Sequence, residues 1–340
     1  MSRQILVVLV TGVLALAACS SDDVSDASGG DANDAKPAEV APSKGCTGAS
    51  AAEPVAHGKV TISSSGAERW YWQDVPPAHD GETPVPVVVD FHGYSEGADV
   101  HLQMSGLGDY GKEQGFVTIT PQGQGAVPRW DPAPGSTDMV FVEDLLDQVG
   151  EQLCIDTNRV YSTGLSNGAM MTSAVACELA DRFAAAAPVA GVQDPDGCDP
   201  ARVVPAVAFH GTADEFVPYD GGYGDKAASL PSPDGSGKTL GESGALERAR
   251  PERASVPEIT AAWAKRNGCD TEPTETEVAP DVTRIAYDCP DGADVEFYRV
   301  DGGGHSWPGS AFSKSIENVV GPTTFSIAAN EVMWDFFQRV

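Results

Sequence analysis

The chain has 340 residues, with 21 Lys and Arg against 50 Asp and Glu and a formal net charge of −29. That balance excludes nucleic acid and anionic lipid headgroups as electrostatic partners and reads as a solvated acidic surface. About 295 residues lie beyond a polar N-terminal stretch, enough for one large domain with a substantial core.

Residues 1–18 carry one positive charge, Arg3, followed by an almost wholly apolar run. The run is too short to span a bilayer comfortably and ends in small residues, which is the pattern of a secretory signal peptide. Its end, Leu16-Ala17-Ala18-Cys19, resembles the bacterial lipobox. That resemblance implies that Cys19 becomes the lipidated first residue of an exported, membrane-anchored protein. Plain cleavage after a small residue, leaving a soluble product, is the alternative. Residues 19–45 are mostly Ser, Asp, Ala, Gly and Pro, cannot bury enough apolar surface to offset ordering, and read as a flexible acidic tether.

From 46 to 340 the elements alternate. An antiparallel pair is expected at 60–64 and 69–73, then a strand at 86–91 whose continuous apolar character suits burial on both faces. A helix at 100–114, a strand at 116–120 and a helix at 141–153 follow. Next come a strand at 159–163, a helix at 167–179 and strands at 183–189 and 206–210. Residues 219–256 are rich in Gly, Ser, Pro and charge without periodicity, and read as a mobile surface insertion. The last third gives a helix at 257–266, strands at 283–287 and 295–300 and a helix at 326–337. Strands alternating with helices predict a mostly parallel sheet covered on both faces, with no large lid.

Gly164-Leu165-Ser166-Asn167-Gly168 falls between a predicted strand and a predicted helix. A nucleophile elbow needs that placement, because the glycines let the chain turn sharply and lift the Ser166 hydroxyl clear of the sheet. A serine hydroxyl also needs a base. Of the six histidines, His57 and His79 lie in the polar N-terminal part, His101 in a helix, and His92 and His210 at strand ends where they shape loops. His305 remains, in Gly302-Gly303-Gly304-His305-Ser306-Trp307-Pro308-Gly309 after the last strand. The carboxylate that orients it is Asp214, just past the strand 206–210, with Glu215 as its rival. The order Ser, Asp, His is that of α/β-hydrolases. Backbone amides of Tyr94, in Asp90-Phe91-His92-Gly93-Tyr94-Ser95, and of Asn167 are the expected oxyanion donors. This chemistry calls for no metal and no cofactor.

The segments 90–95, 159–171, 209–219 and 302–309 resemble the extracellular esterase family that includes polyhydroxybutyrate depolymerases, feruloyl esterases and acetyl xylan esterases. The likeness covers most of 46–340 and implies an α/β-hydrolase fold, with Ser166, Asp214 and His305 at the triad positions. Relatives often carry Cys directly after the His-Gly pair, where this chain has Tyr94, so a disulfide there is lacking.

With Cys19 set apart, six of the seven cysteines remain, an even number consistent with disulfides in an exported protein. Helix and strand placement suggests Cys154 with Cys177, Cys269 with Cys289 and, by exclusion, Cys46 with Cys198. The short polar link 190–204 predicts an open, shallow site for short-acyl or hydroxyacyl esters such as hydroxybutyrate oligomers. Feruloyl or acetyl xylan esters are the alternative, with a peptidase or a non-catalytic ligand-binding lipoprotein as further readings. Trp307, and less so Trp130, would form the wall of such a site.

Overall fold

A computed structural model describes residues 39–46, 56–249 and 253–340. The expected signal peptide, Cys19 and most of the expected tether lie outside these residues. In chain order the elements are β1 (His57–Ser64), β2 (Ala67–Asp74), β3 (Val85–Phe91), α1 (Ala98–Ser105), α2 (Leu107–Gln114), β4 (Val117–Pro121), α3 (Thr137–Gln152), β5 (Ile155–Leu165) and α4 (Asn167–Glu178). They continue with β6 (Ala185–Val189), β7 (Ala206–Gly211), α5 (Asp225–Ala228), α6 (Ala245–Ala249), α7 (Val256–Arg266), β8 (Thr274–Ala279), β9 (Val282–Ala286), β10 (Val295–Val300), α8 (Ala311–Ser315), α9 (Glu317–Val320) and α10 (Ala329–Phe337).

The strands form one sheet in the order β1-β2-β4-β3-β5-β6-β7-β10-β9-β8. Its centre, β4 through β10, is parallel, and antiparallel pairs extend both edges. The pleat divides the central run between two cores. Val87, Val89 and Phe91 pack with Phe141 and Leu145 of α3 and Val175 of α4. Val88 faces the other way, toward Leu107, Phe116 and Trp334. With both faces covered, the strand has no polar side to alternate, and its sequence is accordingly a continuous apolar run. The chain steps from β3 outward to β4 and then back past β3 to β5. Such a reversal leaves a crevice at the carboxyl ends of β3 and β5, the usual location of a site in an open α/β sheet.

Several boundaries differ from expectation for local reasons. The single helix expected at 100–114 is two, because Gly106 takes φ 63° and ends the first. α3 begins earlier, at the turn where Ser136 accepts a hydrogen bond from the Met139 amide. β8 was not expected: most of its residues are exposed, so it has no apolar period to read.

Residues 39–45, which the sequence assigned to a tether, are ordered instead. Residues 39–46 dock on the domain: Ala41 N donates to Asp156 Oδ1 at 2.9 Å, Ser43 Oγ donates to Leu153 O at 2.7 Å, and a 3₁₀ turn spans Lys44–Cys46. That docking corrects the disulfide assignment. Cys46 is bonded to Cys154, and Cys177 to Cys198. The link after β6 folds back on α4, where Gln193 N donates to Ser173 Oγ at 3.0 Å, and so brings Cys198 beside Cys177. Cys269 and Cys289 are bonded to each other. Three disulfides imply folding in an oxidising compartment.

The insertion expected to be mobile is folded against the domain as well. It contains α5 and α6 and a bridge between Pro231 and Thr239. Arg253 is buried, and its guanidinium donates to Val192 O at 2.7 Å. Among the described residues no helix is long and apolar enough to cross a membrane.

Candidate active site

Ser166 stands between β5 and α4 with φ 58° and ψ −116°, a strained conformation for a residue with a side chain. Packing holds it there. A side chain on Gly168 would collide with the carbonyl oxygen of Phe91 at the end of β3, and one on Gly191 with the backbone of Ser166 itself. Glycine at both positions lets three strand ends close around the turn, and Ser166 N donates to Val189 O at 2.9 Å.

Asp214 and His305 follow the carboxyl ends of β7 and β10, strands paired in parallel. His305 Nδ1 lies 2.7 Å from Asp214 Oδ2. The carboxylate is fully buried and its other oxygen, Oδ1, accepts the amides of Phe216 and Val217 at 2.8 and 2.9 Å. His210 Nε2 stands 3.3 Å from Oδ2. Burial alone would raise the Asp214 pKa, but His305 and His210 outweigh it and hold the group well below the usual carboxylate range. The rival Glu215 points to solvent and pairs with Lys226 at 2.7 Å. With Nδ1–H directed at Asp214, the free Nε2 of His305 is the ring nitrogen able to take a proton. Phe216 stacks on the imidazole at a centroid distance of 4.8 Å.

The loop after β3 is fixed by buried charge. His101 is fully buried; its Nε2 lies 2.7 Å from Asp90 Oδ1, and its Nδ1 lies 3.2 Å from both Glu96 oxygens. Ser105 Oγ donates to Asp90 Oδ2 at 2.6 Å, and Glu96 Oε2 accepts the Gly93 amide at 2.6 Å. Burial lowers the His101 pKa, yet the two carboxylates overcome it and raise it to about 10, so the ring is a cation. His92 differs. Its Nε2 accepts the Gly123 amide at 2.9 Å, leaving Nδ1–H to donate to Gly93 O at 2.7 Å. Burial lowers its pKa to about 4 and keeps it neutral. The sequence placed His101 in a helix without a partner and missed this network, although Asp90 inside a buried apolar strand demands one.

No hydrogen bond among the described residues uses the amides of Tyr94 or Asn167. The Asn167 side chain grips the Trp130 backbone at two points, 2.7 and 3.1 Å. The Tyr94 hydroxyl donates to Pro231 O at 2.8 Å, tying this loop to the insertion.

A cavity of about 540 Å³ opens beside Ser166 and Asn167, lined by Trp130, Phe216, Leu230 and Leu240 among others. Its volume falls within the roughly 300–1,000 Å³ typical of ligand pockets. The expected shallow site is therefore corrected: the insertion supplies a wall and gives the site depth. Trp130 lines this cavity, but Trp307 does not. The Trp307 ring is buried in the core, its Nε1 donates to Asn330 Oδ1 at 2.9 Å, and it meets His101 edge-on at 5.8 Å. The sequence motif placed Trp307 two residues after His305, but the turn there directs it inward.

Comparison with known proteins agrees with this architecture. The profile of the prolyl oligopeptidase family matches residues 136–201, the stretch from α3 through the elbow to the link after β6. Feruloyl esterase B of Piromyces equi is 27% identical over 241 residues, 68% of this chain and 41% of that protein. Poly(3-hydroxyalkanoate) depolymerase C of Paucimonas lemoignei is 34% identical over 115 residues, 31% of this chain and 28% of that one. This chain thus matches less than half the length of either relative. Among solved structures, the acetyl xylan esterase of Aspergillus awamori aligns with TM-score 0.52 over 77% of this chain and 98% of its own, at 14% identity. The chain has the α/β-hydrolase fold, and parts of its sequence are similar to feruloyl esterases and to a polyhydroxyalkanoate depolymerase.

Proposed function

We propose that the protein is a serine carboxylic ester hydrolase. Ser166 attacks the ester carbonyl while His305 Nε2 takes its proton, and Asp214 holds the tautomer and stabilises the imidazolium that forms. The oxyanion is received by the amides of Tyr94 and Asn167, the second at the positive end of α4. His305 then protonates the leaving alcohol, and water enters to release the acid. The observation that carries this reading is the buried Asp214–His305 pair at 2.7 Å, at the carboxyl end of the same parallel sheet as a strained Ser166 that lines the cavity.

The substrates we infer are esters of hydroxyacyl oligomers, whose repeating acyl units can occupy a cavity deeper than acetate requires. A second reading, an aromatic acyl group such as feruloyl, draws on the aromatic wall of Trp130, Phe216 and Tyr223 and on the feruloyl esterase relative. The prolyl oligopeptidase match stops at residue 201, short of Asp214, His305 and the insertion, and gives no separate support for peptide substrates.

A panel of p-nitrophenyl acetate, butyrate, hexanoate and palmitate, 3-hydroxybutyrate oligomers and methyl ferulate would test both the activity and the substrate class. Hydrolysis that rises from acetate to hexanoate, and is lost in Ser166→Ala by on the order of 10⁶-fold, is the expected outcome. A folded wild-type protein that hydrolyses none of these esters contradicts the proposal. We further propose export with a lipid anchor at Cys19, for which Cys19→Ser should release the protein into the medium. Wild-type protein already free of membranes and unlipidated would refute the anchor.

A further inference from the structure

The cavity beside Ser166 contains a cation whose position is built and whose partner is missing. Among the described residues that line it, Arg129 is the one basic side chain. Its backbone is fixed on both sides: a bridge joins Gln124 to Arg129, Ser95 N donates to Pro128 O at 2.7 Å, and Asn167 holds Trp130. The guanidinium rests over Gly125, which has φ 95°; a Cβ there would stand 3.0 Å from Nη1, so glycine leaves the space the charge occupies. Arg129 is thereby seated next to the loop that carries the Tyr94 amide and within electrostatic range of the Tyr94 hydroxyl.

Every other described arginine has a hydrogen bond from its guanidinium. With 50 acidic residues to 21 basic, cations readily find carboxylates, as Arg69 does with Asp138, Lys226 with Glu215 and Arg284 with Glu296. The Arg129 guanidinium makes no hydrogen bond or ion pair with a described residue. Asp131, Glu178 and Asp196 also line the cavity; all three are exposed and none pairs with it. A guanidinium is a planar fork of donors matched to a carboxylate, and apolar neighbours strengthen such a pair by displacing water.

We propose that Arg129 binds a carboxylate carried by the substrate, so that the enzyme prefers esters with a free acid at the end remote from the scissile bond. Half-esters of short dicarboxylic acids have that chemistry, with one free carboxylate at the far end of the acyl chain. The inference rests on the ester-hydrolase reading and deepens its substrate class. The test uses mono-p-nitrophenyl glutarate and its methyl-capped counterpart. In wild type, kcat/KM for the acid should exceed that for the capped ester by roughly tenfold or more, the scale of a charge-assisted hydrogen bond. Arg129→Gln should lower that ratio at least tenfold, and Arg129→Lys should restore part of it. Because a ratio is read within one protein, partial misfolding does not imitate the effect. Calorimetric binding of glutarate to Ser166→Ala, and its loss in Ser166→Ala with Arg129→Gln, reads the same contact without turnover. Equal ratios in wild type and Arg129→Gln, or glutarate binding that survives the double substitution, would overturn the proposal. Absence of any hydrolysis with glutarate binding intact would instead strike the ester-hydrolase reading and leave the Arg129 contact standing.

Discussion

Two buried carboxylates at the ends of parallel strands do different work. Asp214 is saturated by two amides and two imidazoles, so it stays ionised and fixes one His305 tautomer. Asp214→Asn keeps the shape but disturbs that tautomer, and kcat should fall by about 10⁴-fold with KM little changed; steady-state kinetics on a p-nitrophenyl ester would check it. Asp90 instead shares the buried cation His101 with Glu96. Because the His101 pKa is raised from 6.5 to about 10 in the folded protein, its contribution to stability is fully present below about pH 6.5 and is lost as pH rises through about 10. Thermal melts at pH 6, 8 and 10 should therefore converge for wild type and His101→Gln as pH rises. Melts that stay parallel across that range would mean that His101 is not a cation in the fold. The Asp214–His305 pair and the turn at Ser166 were legible because each residue sits in a local motif at a strand end. The network was not, because Asp90, Glu96 and His101 satisfy one another only once β3, its loop and α1 have packed together.

The insertion between β7 and α7 has the clearest functional consequence among the elements. Its apolar residues Leu230, Leu240 and Leu246 face a cavity rather than a partner helix, so they follow neither helical nor strand periodicity and read as loop. The strands and helices of the sheet were legible because they alternate and pack against one another. β8 was lost for the opposite reason, having almost nothing buried. If the insertion is the acyl wall, replacing Leu230 and Leu240 with Ser removes apolar contact worth ~0.8 kcal/mol per methylene. KM for p-nitrophenyl hexanoate should then rise about tenfold while that for acetate changes little. An equal change for both esters would assign the insertion a structural role instead.

Over the whole molecule, the disulfides and the sheet divide stability from chemistry. Cys46 and Cys154 are 108 residues apart, and a loop of about 100 residues is worth up to ~4.7 kcal/mol in the chain-entropy model. β5 begins just after Cys154 and ends just before Ser166, with 11 residues between, which at ~3.3 Å per residue separates bond and nucleophile by about 35 Å. Cys46→Ser with Cys154→Ser should lower the melting temperature by several degrees without changing kcat at 25 °C. A matching loss of kcat would show that the docked segment 39–46 reaches the site. Six cysteines beyond Cys19 were legible in the sequence as three pairs; the pairing was not, since it depends on how residues 39–46 and the link after β6 fold back on the domain.

The central claim is that Ser166 is an activated nucleophile, and covalent labelling tests it most directly. The folded protein is treated with a fluorophosphonate, digested and mapped by mass spectrometry. One adduct on Ser166 is predicted, formed rapidly in wild type, slowed by orders of magnitude in His305→Ala and missing from Ser166→Ala. Labelling that persists in Ser166→Ala, or a wild-type protein that stays unlabelled, would contradict the account.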